Sequence, residues 1–157
     1  MTRNDLLAVL CMLLMGESVT AQSTSGPLSL AQGTYRLEGR CIAMKDGTKD
    51  ETAQCLGRSV IVAKDPARPT FVFVRTDGIW AFVSAGDPVY SNGAQTATFP
   101  VSRLLVSAEK GLYLPGECVL NADSHPTLRC TIWLKDGKEV AATFDGDGAW
   151  SFSRDAK

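Results

Sequence analysis

The clearest apolar runs in the chain are short and alternate with period two. Ser59–Ala63 (SVIVA) and Thr70–Arg75 (TFVFVR) are β-branched and aromatic, and are bounded by Pro66, Pro69 and Asp77-Gly78. Asp-Gly between apolar runs signals a hairpin, because these residues accept the backbone that turns a strand with the right twist. Thr70–Arg75 is therefore expected to pair with Ile79–Ser84. By the same reasoning Val140–Phe144 is expected to pair with Ala149–Ser153 across Gly146-Asp147-Gly148. A further turn at Asp136-Gly137 joins Cys130–Lys135 to that hairpin. Alternation puts Trp80 with Phe82 and Trp150 with Phe152 on faces expected to form the core. Ala149, Ser151 and Ser153 read as a solvated face, and Ile79, Ala81 and Val83 as a partly covered one. Pro100–Lys110 carries both a helical spacing, through Val101, Leu104, Leu105 and Ala108, and a strand-like alternation. The strand reading is preferred, because Leu104–Val106 matches Leu28–Leu30.

That match belongs to a longer one. Gly33-Thr34-Tyr35, Gly39-Arg40-Cys41, Cys55 and Asp77-Gly78-Ile79-Trp80-Ala81-Phe82 recur as Gly111-Leu112-Tyr113, Gly116-Glu117-Cys118, Cys130 and Asp147-Gly148-Ala149-Trp150-Ser151-Phe152. Two units, 28–83 and 104–153, are expected, with residues 84–103 as connector. Two copies are too few for a solenoid. The expected fold is all-β: two duplicated four-stranded units, each stapled by a disulfide, forming a sandwich or a small barrel within one domain over residues 22–157.

The N-terminus changes the picture of where this domain works. Arg3 precedes the apolar run Leu6–Met15, and Val19-Thr20-Ala21 offers small residues at a cleavage site. Residues 1–21 read as a signal peptide, the run being too short to span a bilayer. A periplasmic or secreted location follows. Cleavage removes Cys11 and leaves Cys41, Cys55, Cys118 and Cys130, an even number in an exported chain. Four cysteines allow three pairings. Close spacing and matched places in the repeat favour Cys41–Cys55 with Cys118–Cys130. Tight Cys-x-x-Cys steps are absent and His125 is the single histidine, so no metal is expected.

Cleavage also sets the charge. The 16 Lys and Arg lose Arg3, and the 17 Asp and Glu lose Asp5 and Glu17, leaving 15 of each. A neutral chain gives no case for a nucleic-acid or anionic-membrane partner driven by net charge. No stretch after the signal peptide reaches membrane length.

Gly33 to Cys41, Cys55, Phe71-Val72-Phe73, Asp77-Gly78, Gly93-Ala94-Gln95, Cys118 and Cys130 together resemble a group of small exported proteins of alphaproteobacteria. The resemblance covers most of the mature chain. It rests on turn, core and cysteine positions, so it implies a scaffold and a Gram-negative periplasm, and no activity.

Catalytic chemistry finds little support in the residues. Nucleophilic catalysis needs Ser or Cys beside a base. The one histidine, His125, sits in the polar turn Asn121–Pro126, and no Gly-x-Ser-x-Gly elbow is present. Most acids lie in turns, where aspartate serves the backbone, and no carboxylate pair stands out. Asp145-Gly146-Asp147-Gly148 resembles part of a calcium loop but lacks the further ligands. No cofactor motif is present. Trp133, in Thr131-Ile132-Trp133-Leu134, lies on the opposite face from Ile132 and Leu134 and has no counterpart in the first unit. It is the candidate binding residue, as a ligand platform or interface anchor.

The resulting expectation is a non-enzymatic exported β-module that binds a protein or an envelope component. Two alternatives stand beside it. One is an inhibitor of an exported protease or lysozyme, using the loops Lys45–Ala53 or Asn121–Thr127. The other is a small carboxylate-dependent hydrolase.

Overall fold

The computed structural model describes residues 28–107 and 110–154. The expected signal peptide, 1–21, and Cys11 lie outside the described residues. The described chain is built from strands β1 (Gly33–Asp46), β2 (Lys49–Asp50), β3 (Cys55–Ala63), β4 (Thr70–Arg75), β5 (Gly78–Ser84), β6 (Val89–Ser91), β7 (Thr96–Ser107), β8 (Lys110–Asn121), β9 (Thr127–Trp133) and β10 (Glu139–Ser153). A 3-10 turn at Thr52–Gln54 precedes β3.

Eight of these strands form a closed barrel in the order β1-β3-β4-β5-β7-β8-β9-β10, every neighbour antiparallel, with β10 returning to pair with β1. Closure removes most free edges of the sheet. β2 extends the end of β1, and β6 lies off the barrel against β7. Residues 96–107 are thus a barrel strand, and the expected connector, 84–103, contains the first eight of its 12 residues.

Large side chains fill the barrel. Leu37, Met44, Ile61, Phe71, Phe73, Phe82, Phe99, Leu104, Leu120, Leu128, Ile132 and Phe144 are all fully buried. Phe73 packs edge-on to Phe82, and Phe71 to Phe99. An eight-stranded barrel is just wide enough for side chains to fill its interior.

The Gly-x-Cys motif has a packing reason. A Cβ on Gly39 would stand 2.1 Å from the carbonyl oxygen of Asp145, and one on Gly116 would stand 2.2 Å from that of Thr131. Both glycines let the neighbouring backbone press against the strand just before a cysteine. Cys41 bonds to Cys55 and Cys118 to Cys130, as the spacing predicts. Cys118 and Cys130 face each other directly in the β8–β9 ladder and are fully buried. Cys41 and Cys55 instead join β1 to β3 beyond Glu38–Arg58, where their ladder ends.

The expected hairpin at Gly146-Asp147-Gly148 is not formed. β10 runs unbroken from Glu139 to Ser153, and these residues make a bulge where the β1 partner changes from Gly39 to Leu37. Between Gly146 and Trp150 β10 has two residues more than β1 has between Gly39 and Leu37, and it takes up the excess as a bulge without turning back. The shared motif therefore does not map strand for strand: Asp77-Gly78 closes the β4–β5 hairpin, while Asp147-Gly148 lies within one strand. Leu28–Leu30 is not a strand either. Trp80 and Phe82 are core residues as expected, but Trp150 is half-buried and Phe152 is 39% exposed. β9 begins opposite Asp145, so the last residues of β10 pair with β1 alone, and Trp150 and Phe152 pack on Tyr35.

Gly57 has φ +65°, and a Cβ there would stand 2.7 Å from the Gly39 carbonyl oxygen. Gly57→Ala is expected to cost about 2 kcal/mol, from left-handed strain and this contact. Urea unfolding at constant m-value would measure it. A loss below about 0.5 kcal/mol would show that the β1–β3 crossing can relax.

Candidate functional site

With the interior filled by side chains, the surfaces left for recognition are the outer wall, the loops and the strand ends. The outer wall divides into two unlike halves. On β3, β4, β5 and β7 the outward positions are Val60, Val62, Thr70, Val72, Val74, Ile79, Ala81, Val83, Arg103 and Leu105. Cross-strand register sets them in ranks. Val60 faces Val72, Val72 faces Ala81, and Ala81 faces Leu105. Val74 faces Ile79 in the next rank. The valines and Leu105 are half-buried, Ile79 is 41% exposed, and Ala81 is covered by its taller neighbours. Strands about 4.8 Å apart and same-face residues about 6.7 Å apart give this patch a footprint of roughly 300 Å². That is at the lower end of the largest apolar patch a typical monomer exposes, a patch that is often functional.

The other half of the wall, on β1, β10, β9 and β8, presents Lys45, Glu139, Thr143, Asp145, Thr127, Arg129 and Glu117 outward. Trp133 lies here, 44% exposed and opposite Glu139. It points away from Ile132, as its phase predicts, and stands on the far wall from the valine ranks.

A cleft of about 620 Å³, open to solvent, forms at the β10 bulge. Glu38, Gly39, Arg40, Asp145, Gly146, Asp147 and His125 line it. β1 supplies the first three, the bulge the next three, and the β8–β9 loop the histidine. The structure thus brings Glu38 and the single histidine to Asp145 and Asp147, the acids that stand together in Asp145-Gly146-Asp147-Gly148. Arg40 pairs with Asp145 at 3.2 Å, and Arg58 with Glu38 at 3.5 Å. His125 Nδ1 lies 3.3 Å from Ser124 Oγ, and its backbone N–H donates to Asp123. The loop is therefore ordered by its own side chains. Among the described residues, no cluster of three or more His, Cys, Asp or Glu side chains is arranged to hold a metal.

The Lys45–Ala53 loop is also tied down. Met44 N–H donates to Thr52 Oγ1, and Thr52 N–H to Asp50. Glu51 folds in to 8% exposure and meets Arg75 at 3.1 Å. Arg75 is interior in phase with Phe71 and Phe73. It donates to both oxygens of Asp77, at 2.7 and 2.8 Å, and its guanidinium lies 4.7 Å over the Trp80 ring. Lys49 also pairs with Glu51. The Arg75 hydrogen bonds hold Asp77 below the usual carboxylate range. Glu51 is lowered first by its bond from Lys49 and then by Arg75. This cluster closes one end of the barrel, and it uses the disulfide-closed loop as a plug. The sequence reading missed it, although the alternation phase of Arg75 was the available signal.

No protein-family model, curated protein or solved structure matches the chain.

Proposed function

We propose that the protein is a non-enzymatic exported module that binds a component of the cell envelope through the outside of its barrel. The observation that carries this reading is the contiguous apolar wall formed by Val60, Val62, Val72, Val74, Ile79, Ala81, Val83 and Leu105. The filled interior supports it, because the barrel is not built as a ligand cup. Two disulfides are consistent with an exported protein, and no described helix is long and apolar enough to cross a membrane.

The test is co-sedimentation of the purified mature chain with an envelope fraction. Val74→Ser with Ile79→Ser is expected to weaken binding at least tenfold, since each truncation forfeits about 1.5 kcal/mol of burial. Thermal unfolding should stay nearly unchanged, because both side chains face outward. Loss of binding in Trp133→Ala alone would move the site to the opposite wall and overturn this assignment. Turnover of a glycan or peptide, abolished by Glu38→Gln or Asp145→Asn, would make the cleft catalytic and overturn the non-enzymatic reading.

A further inference from the structure

The apolar wall has a frame, and the frame is basic. Arg36 on β1 faces Val60, and Arg58 on β3 lies one rank beyond it. Lys64 follows Val62 at the end of β3. On the other flank Arg103 faces Val83, and its guanidinium lies 5.0 Å over the exposed ring of Tyr113. The acids near the frame are engaged: Glu38 with Arg58, Asp77 with Arg75, and Asp65 with the Ala67 N–H. Arg58 is matched by Glu38, but among the described residues Arg36, Lys64 and Arg103 have no carboxylate partner, so formal neutrality of the mature chain hides an uneven distribution around the aliphatic wall.

Three features select the occupant. First, a second copy would set basic flanks against basic flanks, which disfavours self-association. Second, Thr70 and Arg103 are the only polar side chains in the ranks, and the backbone groups there are used by the barrel ladder. A specific protein interface offers about one hydrogen bond per 100–200 Å² and aromatic anchors at its centre, and this patch offers neither. Third, arginine and lysine around aliphatic surface, with a tyrosine at the margin, is the arrangement that places apolar groups among acyl chains and cations at phosphates.

We propose that the β3-β4-β5-β7 wall docks on the surface of an anionic phospholipid bilayer, its aliphatic ranks pressed into the headgroup boundary and Arg36, Lys64 and Arg103 at the lipid phosphates. This rests on the envelope-binding reading and names the component. The barrel lies on the membrane and does not cross it.

The experiment is vesicle co-sedimentation of the mature chain, using phosphatidylcholine with and without phosphatidylglycerol, in parallel with intact and protease-treated envelope membranes. Binding is expected only with phosphatidylglycerol, and is expected to fall as salt rises. Arg36→Gln with Lys64→Gln should weaken it about fivefold for each charge removed. Val74→Ser with Ile79→Ser should weaken it at least tenfold, and Arg129→Gln on the opposite wall should leave it unchanged. Protease-treated membranes should bind as intact ones do. Binding to envelope membranes that protease abolishes, with none to vesicles, overturns the lipid assignment and leaves the envelope reading standing. Equal binding to neutral and anionic vesicles overturns the role of the basic frame. No binding to either vesicles or envelope overturns both readings.

Discussion

Replacing Arg75 with methionine is expected to destabilise the barrel by about 3 kcal/mol, the usual result of removing one member of a buried ion pair. Methionine keeps the apolar stem but loses the guanidinium over Trp80, so the loss reports on the ion pairs and on that cation–π contact together. It leaves Glu51, 8% exposed, with Lys49 as its remaining cation, and leaves Asp77 without its two hydrogen bonds. Glu51→Gln added to Arg75→Met should recover part of the loss, because the uncompensated carboxylate then disappears. The acid limb should change as well. Asp77 and Glu51 are held below the usual carboxylate range in the folded state. Their contribution is complete above the unfolded carboxylate pKa, near 4, and is lost as pH falls through the lowered folded values. Wild type should therefore lose stability in acid, and Arg75→Met should have a flatter limb. Urea denaturation between neutral and acid pH checks both statements. A cost below about 1 kcal/mol at neutral pH, or parallel acid limbs, would show that the cluster does not hold the barrel end.

Legibility in the sequence followed locality. β4 and β5 were readable because alternation, β-branched content and the turn lie within fifteen residues. The disulfide pairing was readable for the same reason, its partners being 14 and 12 residues apart. Closure was not, because barrel and sandwich differ in whether β1 pairs with β10, a contact between the two ends of the domain. Gly146-Asp147-Gly148 reads as a turn because a bulge and a hairpin turn both favour glycine and aspartate. Only the presence of β1 alongside decides between them. Arg75 beside a turn looks solvated until its phase with Phe71 and Phe73 is followed through. The apolar outer wall had a visible trace in Ser59–Ala63, Thr70–Arg75 and Ile79–Ser84, which are apolar at both phases. Runs of that kind indicate strands covered on both faces. The cleft had only a partial trace, Asp145-Gly146-Asp147, since Glu38 and His125 come from elements far from it in sequence.

The two disulfides are expected to differ in what they protect, although their loops are nearly equal in length. In the chain-entropy model each crosslink contributes about 3 kcal/mol. Cys118→Ala with Cys130→Ala should cost more than this, roughly 4–5 kcal/mol, because both sulfurs are fully buried between Phe99 and Ala142 and their removal also leaves a void. The ladder on either side remains continuous, so the damage should be global, a lower midpoint with the same cooperativity. Cys41→Ala with Cys55→Ala should cost nearer 3 kcal/mol and act locally. There β1 and β3 have already parted, and the bond holds the Thr52–Leu56 segment against the end occupied by Glu51 and Arg75. Amide exchange in that segment should accelerate well before global unfolding. Cys41 and Cys55 are also only half-buried, so a mild thiol reductant should open that bond first in the native protein. Mass-spectrometric mapping during native reduction, with exchange on both double variants, gives the comparison. Prior reduction of Cys118–Cys130, or uniform exchange across β3 and β9 in both variants, would show that the barrel opens as a single unit and that the Cys41–Cys55 end has no independent fragility.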